Sequence, residues 1–252
     1  AQVEVEVTAD DVNGSTTVAS APSPTVLLAA SSPSGAANGS NACAAAHLAA
    51  EIDGGATQSR SLGQGATVHG ELDCGGSPVS GAVLELTLAP ARGSSPTSQA
   101  QIATSADGSF AYSVPPGPSR DITLTYDAYS GSAAPSAVAT LALLVTPTVT
   151  LQITPRATTN GHTISFDGRV LGGYIARGGL PLEIEYREGR RWMIYTEVLA
   201  NAATGRFHWR YTFERTTESI TYSFRVAIPA TGVAGYPYQP AVSPVRSVHV
   251  DP

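Results

Sequence analysis

From Ala203 to Phe213 the chain reads Ala-Thr-Gly-Arg-Phe-His-Trp-Arg-Tyr-Thr-Phe, and this stretch constrains the fold more than any other. Thr204-Gly205 predicts a tight turn, because glycine tolerates the positive φ that hairpin turns demand. Beyond it Phe207, Trp209, Tyr211 and Phe213 alternate with Arg206, His208, Arg210 and Thr212. A period of two puts the aromatics on one face and the polar groups on the other, as in a half-buried antiparallel strand. The aromatics are therefore expected to face a core shared with Phe166, Tyr222 and Phe224. A weaker copy lies upstream, Asp107-Gly-Ser-Phe110-Ala-Tyr112-Ser-Val114, again a turn followed by alternation.

That repetition extends to whole units. Gly63-Gln-Gly-Ala-Thr-Val-His-Gly70-Glu-Leu matches Gly161-His-Thr-Ile-Ser-Phe-Asp-Gly168-Arg-Val in spacing. Each is followed by a Gly-rich turn and an apolar strand, Ala82–Leu88 and Leu180–Tyr186. Ile122–Tyr126 matches Ile220–Phe224, and Ala139–Val145 and Arg246–Val250 close the units. Short strands at this spacing with no helices between them predict two tandem β-sandwiches. The joint falls near Thr146-Pro147, with so little slack that a semi-rigid rod is expected.

The C-terminal unit resembles the immunoglobulin-like repeats common in exported actinobacterial proteins. The matching pieces are Phe166-Asp-Gly168-Arg-Val, Gly189-Arg-Arg-Trp192, Thr204-Gly-Arg-Phe207, Tyr222-Ser-Phe224-Arg and Gly235-Tyr-Pro-Tyr238. The upstream unit, with Gly70-Glu-Leu and Ala106-Asp-Gly-Ser-Phe110, is similar to the same family and to carboxypeptidase-regulatory-like modules. The resemblance covers about residues 60 to 250 and implies a stalk, spacer or adhesive unit. The expected division is 1–55 as an N-terminal extension, 56–147 as a first immunoglobulin-like domain and 148–252 as a second.

The extension differs in composition. Val3, Val5 and Val7 alternate with Gln2, Glu4 and Glu6, a strand of period two, and a Ser/Ala/Pro/Gly tract follows. Asn41 to Ile52 is alanine-rich and has the makings of a short helix, with Asn41 as N-cap and Gly54 as stop. Cys43 and Cys74 match no metal spacing and read as one disulfide of an exported protein, with two buried thiols as the alternative. An Ala-Gln-Val start fits a mature secreted form, and the longest apolar run, Ala137–Val145, is too short to cross a bilayer.

All 14 basic residues are Arg, so cross-links through a lysine amine are excluded. Only Arg60, Arg92 and Arg120 precede Leu151, and the remaining Arg residues follow it. An acidic front and a basic rear suit head-to-tail association, or simply solvate each half. The net charge of −6 and the lack of any Arg run argue against nucleic acid.

No catalytic, cofactor or metal motif emerges. His47, His69, His162, His208 and His249 show no ligand spacing, no nucleophile elbow is present, and Glu183 and Glu185 share one strand face in a manner that suits solvent. Asn13-Gly-Ser15 and Asn38-Gly-Ser40 match the N-glycosylation pattern, which arises readily by chance in polar tracts. Tyr236 and Tyr238 sit on a Pro/Gly loop, where they either stack on a sugar ring or cover the end of the core. The expectation is a secreted, non-enzymatic subunit without cofactor or membrane insertion, polymerising head-to-tail. The Val3/Val5/Val7 strand either pairs within its own chain or is donated to a sheet edge of the next, and donation is the reading the long polar tract behind it favours. A monomeric adhesin that binds a surface glycan and an accessory domain pair of an exoenzyme are the alternatives.

Overall fold

The computed structural model describes residues 35–92, 97–233 and 235–252. The first sandwich is built from β1 (His47–Ile52), β2 (Thr57–Ser61), β3 (Ala66–Cys74), β4 (Ser77–Pro78), β5 (Val83–Pro90), β6 (Ser98–Ala103), β7 (Ser109–Val114), β8 (Arg120–Tyr126) and β9 (Ala137–Thr146). Its sheets run β1-β3-β7, with β4 on the end of β3, and β2-β9-β8-β5-β6. The second sandwich contains β10 (Thr148–Thr154), β11 (Ala157–Thr159), β12 (Thr163–Leu171), β13 (Leu180–Glu188), β14 (Arg191–Ala200), β15 (Arg206–Thr212) and β16 (Ile220–Ile228). It is completed by β17 (Thr231–Val233), β18 (Tyr236–Tyr238), β19 (Ala241–Val242) and β20 (Arg246–Asp251). Its sheets run β10-β12-β15 and β11-β20-β16-β13-β14, so the two units share one strand order. In both, the strand after the first sheet's edge joins the second sheet in parallel, β2 on β9 and β11 on β20. The fold is all-β: two tandem immunoglobulin-like sandwiches.

One pair of residues explains the matched spacing of the repeats. Gly168 on β12 lies opposite Phe207 on β15, and a Cβ at Gly168 would run into that ring and the Thr150 carbonyl. Gly70 on β3 stands in the same relation to Phe110 on β7 and the Ala49 carbonyl. Each sandwich thus lays one aromatic ring over one glycine, where no larger residue fits. Around them the second core gathers Phe166, Phe213 and Phe224, and the first gathers Ile52, Leu84, Leu124 and Tyr126. Trp209, Tyr211 and Tyr222 pack on the second core from half-buried positions.

The expected helix at Asn41–Ile52 does not form; His47–Ile52 is strand β1, in register with β3 from His47↔Asp73 to Ile52↔Val68. Alanine hides the period, since Ala50 lies opposite Gly70 while Leu48 and Ile52 turn toward the core. Sheet pairing outweighs the helix propensity of an alanine run. The first sandwich therefore starts ahead of the expected boundary at Ala56. Asn41 takes φ 56° and donates from Nδ2 to the Pro78 carbonyl instead of capping a helix.

Residues 35–46 carry no long strand, yet they are pinned. Ala36 exchanges backbone and side-chain hydrogen bonds with Ser130, and Asn38 bonds Ala128, Val83 and Asp127. Those bonds occupy both polar ends of the Asn38 amide, leaving it unsuited to carry a glycan. Cys43 and Cys74 are joined at S–S 2.04 Å across a sequence separation of 31. Closing such a loop stabilises by about 3–4 kcal/mol in the chain-entropy picture. Cys43→Ser should accordingly loosen residues 35–46 and lower the first melting transition. The second transition is expected to stay in place, which calorimetry can read.

Candidate functional site

Tyr236 and Tyr238 do not face a ligand. Their rings are 1% and 2% exposed, 4.7 Å apart between centroids, and built into the second core. The structure follows the other reading of this pair, as a cover for the end of the core, and adds a role between the sandwiches. The Tyr236 hydroxyl accepts from Ser119 N and donates to the Gly172 carbonyl, both at 3.3 Å. Leu62 packs at Gly172, Arg92 lies beside Gly235, and Ser59 Oγ donates to Gln239 Oε1 at 3.5 Å. The Tyr-Pro-Tyr strand is therefore the joint of a two-sandwich rod.

Burial pushes the Tyr238 phenol well above its ordinary value of 10.0, with Tyr236 and Tyr174 adding to the effect. Its hydroxyl donates to the Tyr174 carbonyl. A phenol whose folded value is raised contributes fully below the unfolded value and loses that contribution as pH rises past it. Thermal melts at about pH 8 and about pH 11 should show the second transition falling at the higher pH, and Tyr238→Phe should shrink the fall.

The remaining surface of interest is the flank where the sheets of the second sandwich part. Among the described residues β15 pairs only with β12 and β14 only with β13, so each has one edge that no described strand occupies. A bulge between Ile184 and Glu185 sets Ile184 opposite Thr196 and Glu185 opposite Ile194, so Tyr195 has no direct partner. Tyr195 turns across the flank and meets Tyr186, Trp209 and Tyr211 at centroid distances of 6.0, 5.6 and 5.2 Å. It stays 43% exposed, and burial followed by its hydrogen bond with Tyr211 pushes its phenol up. Below it a groove of about 300 Å³ is lined by Tyr186, Tyr211, Phe213, Arg215 and Tyr222. β14 also exposes Met193, Ile194 and Leu199. An unpaired apolar edge is a template for another strand.

The outer face of β10-β12-β15 is cationic. Arg156, Arg169, Arg206 and Arg246 surround a cleft of about 810 Å³ together with His208 and Asp167. Asp167 is engaged by His208 at 2.8 Å, and among the described residues none of the four guanidinium groups has a carboxylate partner. The corresponding face of the first sandwich has a cleft of about 370 Å³ lined by Glu51, His69 and Glu71. The same sheet thus presents opposite charge in the two units.

Other titratable groups have structural partners. Glu185 pairs with Arg225, whose guanidinium lies 4.5 Å over the Trp192 ring, which gives that carboxylate a packing role. His47, His69, His208 and His249 each meet a single carboxylate. The Val3/Val5/Val7 strand lies outside the described residues, as does Asn13. The β14 edge and the bulge at Tyr195 escaped sequence reasoning; the apolar run Trp192-Met-Ile-Tyr195 is a signal for the edge, whereas the bulge shows only in the register.

No family model matches the chain, and no curated protein does. Among solved structures it is similar to a tetra-tandem repeat in the extending region of a large adhesion protein, at 13% identity and TM-score 0.41 over 81% of this chain. It is also similar to the Yersinia pseudotuberculosis adhesin InvE, at 12% identity and TM-score 0.38 over 82% of this chain. Clostridium thermocellum CbhA fibronectin(III)-like modules match at 11% identity and TM-score 0.27, covering 81% of this chain and 93% of theirs. The chain spans 48% of the adhesion-protein repeat and 58% of InvE.

Proposed function

We propose that the chain is a structural subunit of an extracellular fibre, assembled head-to-tail and without enzymatic activity. The observation that carries this reading is the flank of the second sandwich, where no strand among the described residues pairs with the apolar edges of β14 and β15. Among the described residues the two sandwiches share one strand order, so a donated strand extends an edge. Backbone hydrogen bonds give such an addition its direction, and alternate side chains give it register. The Val3/Val5/Val7 segment is the donor. A contact between unlike ends does not close on itself, so it propagates into a filament. The disulfide and the lysine-free composition fit an exported setting.

Deleting residues 1–10 should leave both sandwiches folded by circular dichroism and reduce the sedimenting species to monomer. If the truncated protein polymerises as the intact one does, the N-terminal strand is not the donor.

A second reading, a monomeric adhesin or carbohydrate-binding module, is favoured by one feature: the half-exposed Tyr195–Trp209 ring pair, suited to stacking on a sugar. An intact protein that stays monomeric and binds a polysaccharide, with binding lost in Tyr195→Ala, would establish that reading instead.

A further inference from the structure

Resting on the fibre reading, we propose the seat of the donated strand: residues 2–8 of a second copy pair with the edge of β15 that no described strand occupies. The two segments are complementary on both faces. Along β15, Phe207, Trp209 and Tyr211 face the sandwich interior while Arg206, His208 and Arg210 are exposed on the outer face. Along the donor, Val3, Val5 and Val7 alternate with Glu4 and Glu6. Pairing the segments edge to edge lays the valines beside half-buried Trp209 and Tyr211, over the groove lined by Tyr186, Phe213 and Tyr222. In the antiparallel register that sets Val5 opposite Trp209 and Val3 opposite Tyr211, Glu4 falls opposite Arg210 and Glu6 opposite His208, one diagonal step from Arg206. Neither arginine has an ion-pair partner among the described residues. A one-residue slip would bring valine against arginine and glutamate against tryptophan, so the register is fixed twice over.

Where the chain leaves the rod favours a second copy over the chain's own β15 as the partner. Residues 35–38 bond Ser130 and Ala128, beyond the end of β8, whereas the joint with the second sandwich engages Ser119, at the start of β8. The donor therefore departs from the pole of the first sandwich that faces away from its own second sandwich. On the second sandwich, β15 runs from Arg206, opposite Arg169, out to Thr212, opposite Thr163, while β10 leaves the joint at Thr148, opposite Leu171. The groove beside Phe213 and Arg215 thus opens at the far pole. Donor and seat lie at opposite ends of the rod, as head-to-tail growth requires. The 26 residues between Thr8 and Gly35 reach at most roughly 90 Å when extended. That is ample for a neighbour stacked end to end.

The test is a charge swap in the full chain, read by sedimentation. Arg206 and Arg210 are exposed and outside the core, so R206E/R210E should fold yet assemble at least tenfold more weakly than the unaltered protein. E4R/E6R should weaken assembly similarly. An equal mixture should recover filaments, because each variant's donor then meets the other's seat with opposite charge. If the mixture stays monomeric while both variants are folded, or if R206E/R210E assembles normally, this seat is wrong. Normal assembly there with loss in Ile194→Lys would move the seat to β14 and leave the fibre reading standing. A monomer at all concentrations whose β15 amides lose exchange protection on deletion of residues 1–10 would mean the strand docks in its own chain. If the unaltered protein never associates and its β15 amides are unprotected, the fibre reading itself fails.

Discussion

Phe207→Ala is expected to unfold the second sandwich and leave the first standing. The ring is 4% exposed and lies over Gly168, so truncation opens a void where the backbone approaches too closely for anything else to fill it. Removing a buried aromatic costs about 3–5 kcal/mol, against roughly 5–15 kcal/mol for a whole domain. Gly168→Ala attacks the same contact from the other strand, because its methyl would meet both the ring and the Thr150 carbonyl. Calorimetry should show one transition lost or sharply lowered in each variant and the first-sandwich transition unmoved. An unchanged second transition in Phe207→Ala would place the β15 register one residue out.

Tyr236→Ala is expected to free the joint. This side chain fills the space beside Gly173 and ties Ser119 of the first sandwich to Gly172 of the second. Its loss should destabilise the second sandwich by about 3–5 kcal/mol and let the two units move independently. Small-angle scattering would then report a broader distribution of lengths. Tyr236→Phe keeps the ring and gives up only the hydroxyl bonds, worth about 0.5–1.5 kcal/mol each, so the rod should remain stiff. If Tyr236→Ala scatters like the parent, the joint does not depend on this ring.

Much of the architecture is legible in the sequence because its strands alternate. Phe207 to Phe213 announces a half-buried strand, since aromatic and charged residues contrast at every step. β1 is not legible: Ala49 and Ala50 are small enough for either face, and the pairing of Ala50 with Gly70 is visible only once β3 is beside it. Tyr236 and Tyr238 were ambiguous for a different reason. Their burial depends on Ser119, Gly172 and Tyr174, distant in sequence and partly in the other sandwich. The flank was hidden because a β-bulge re-aims one side chain, and the sequence around Tyr195 carries no mark of a missing ladder position. The charge asymmetry was plain in the sequence, but its concentration into an arginine-lined cleft opposite an acidic one required the strand order.

Head-to-tail growth is tested most directly by electron microscopy of the intact protein in negative stain across a concentration series. Unbranched filaments one sandwich wide that lengthen with concentration, with a repeat of two sandwiches per subunit, are the expected result. A uniform field of isolated two-lobed particles at every concentration would contradict it.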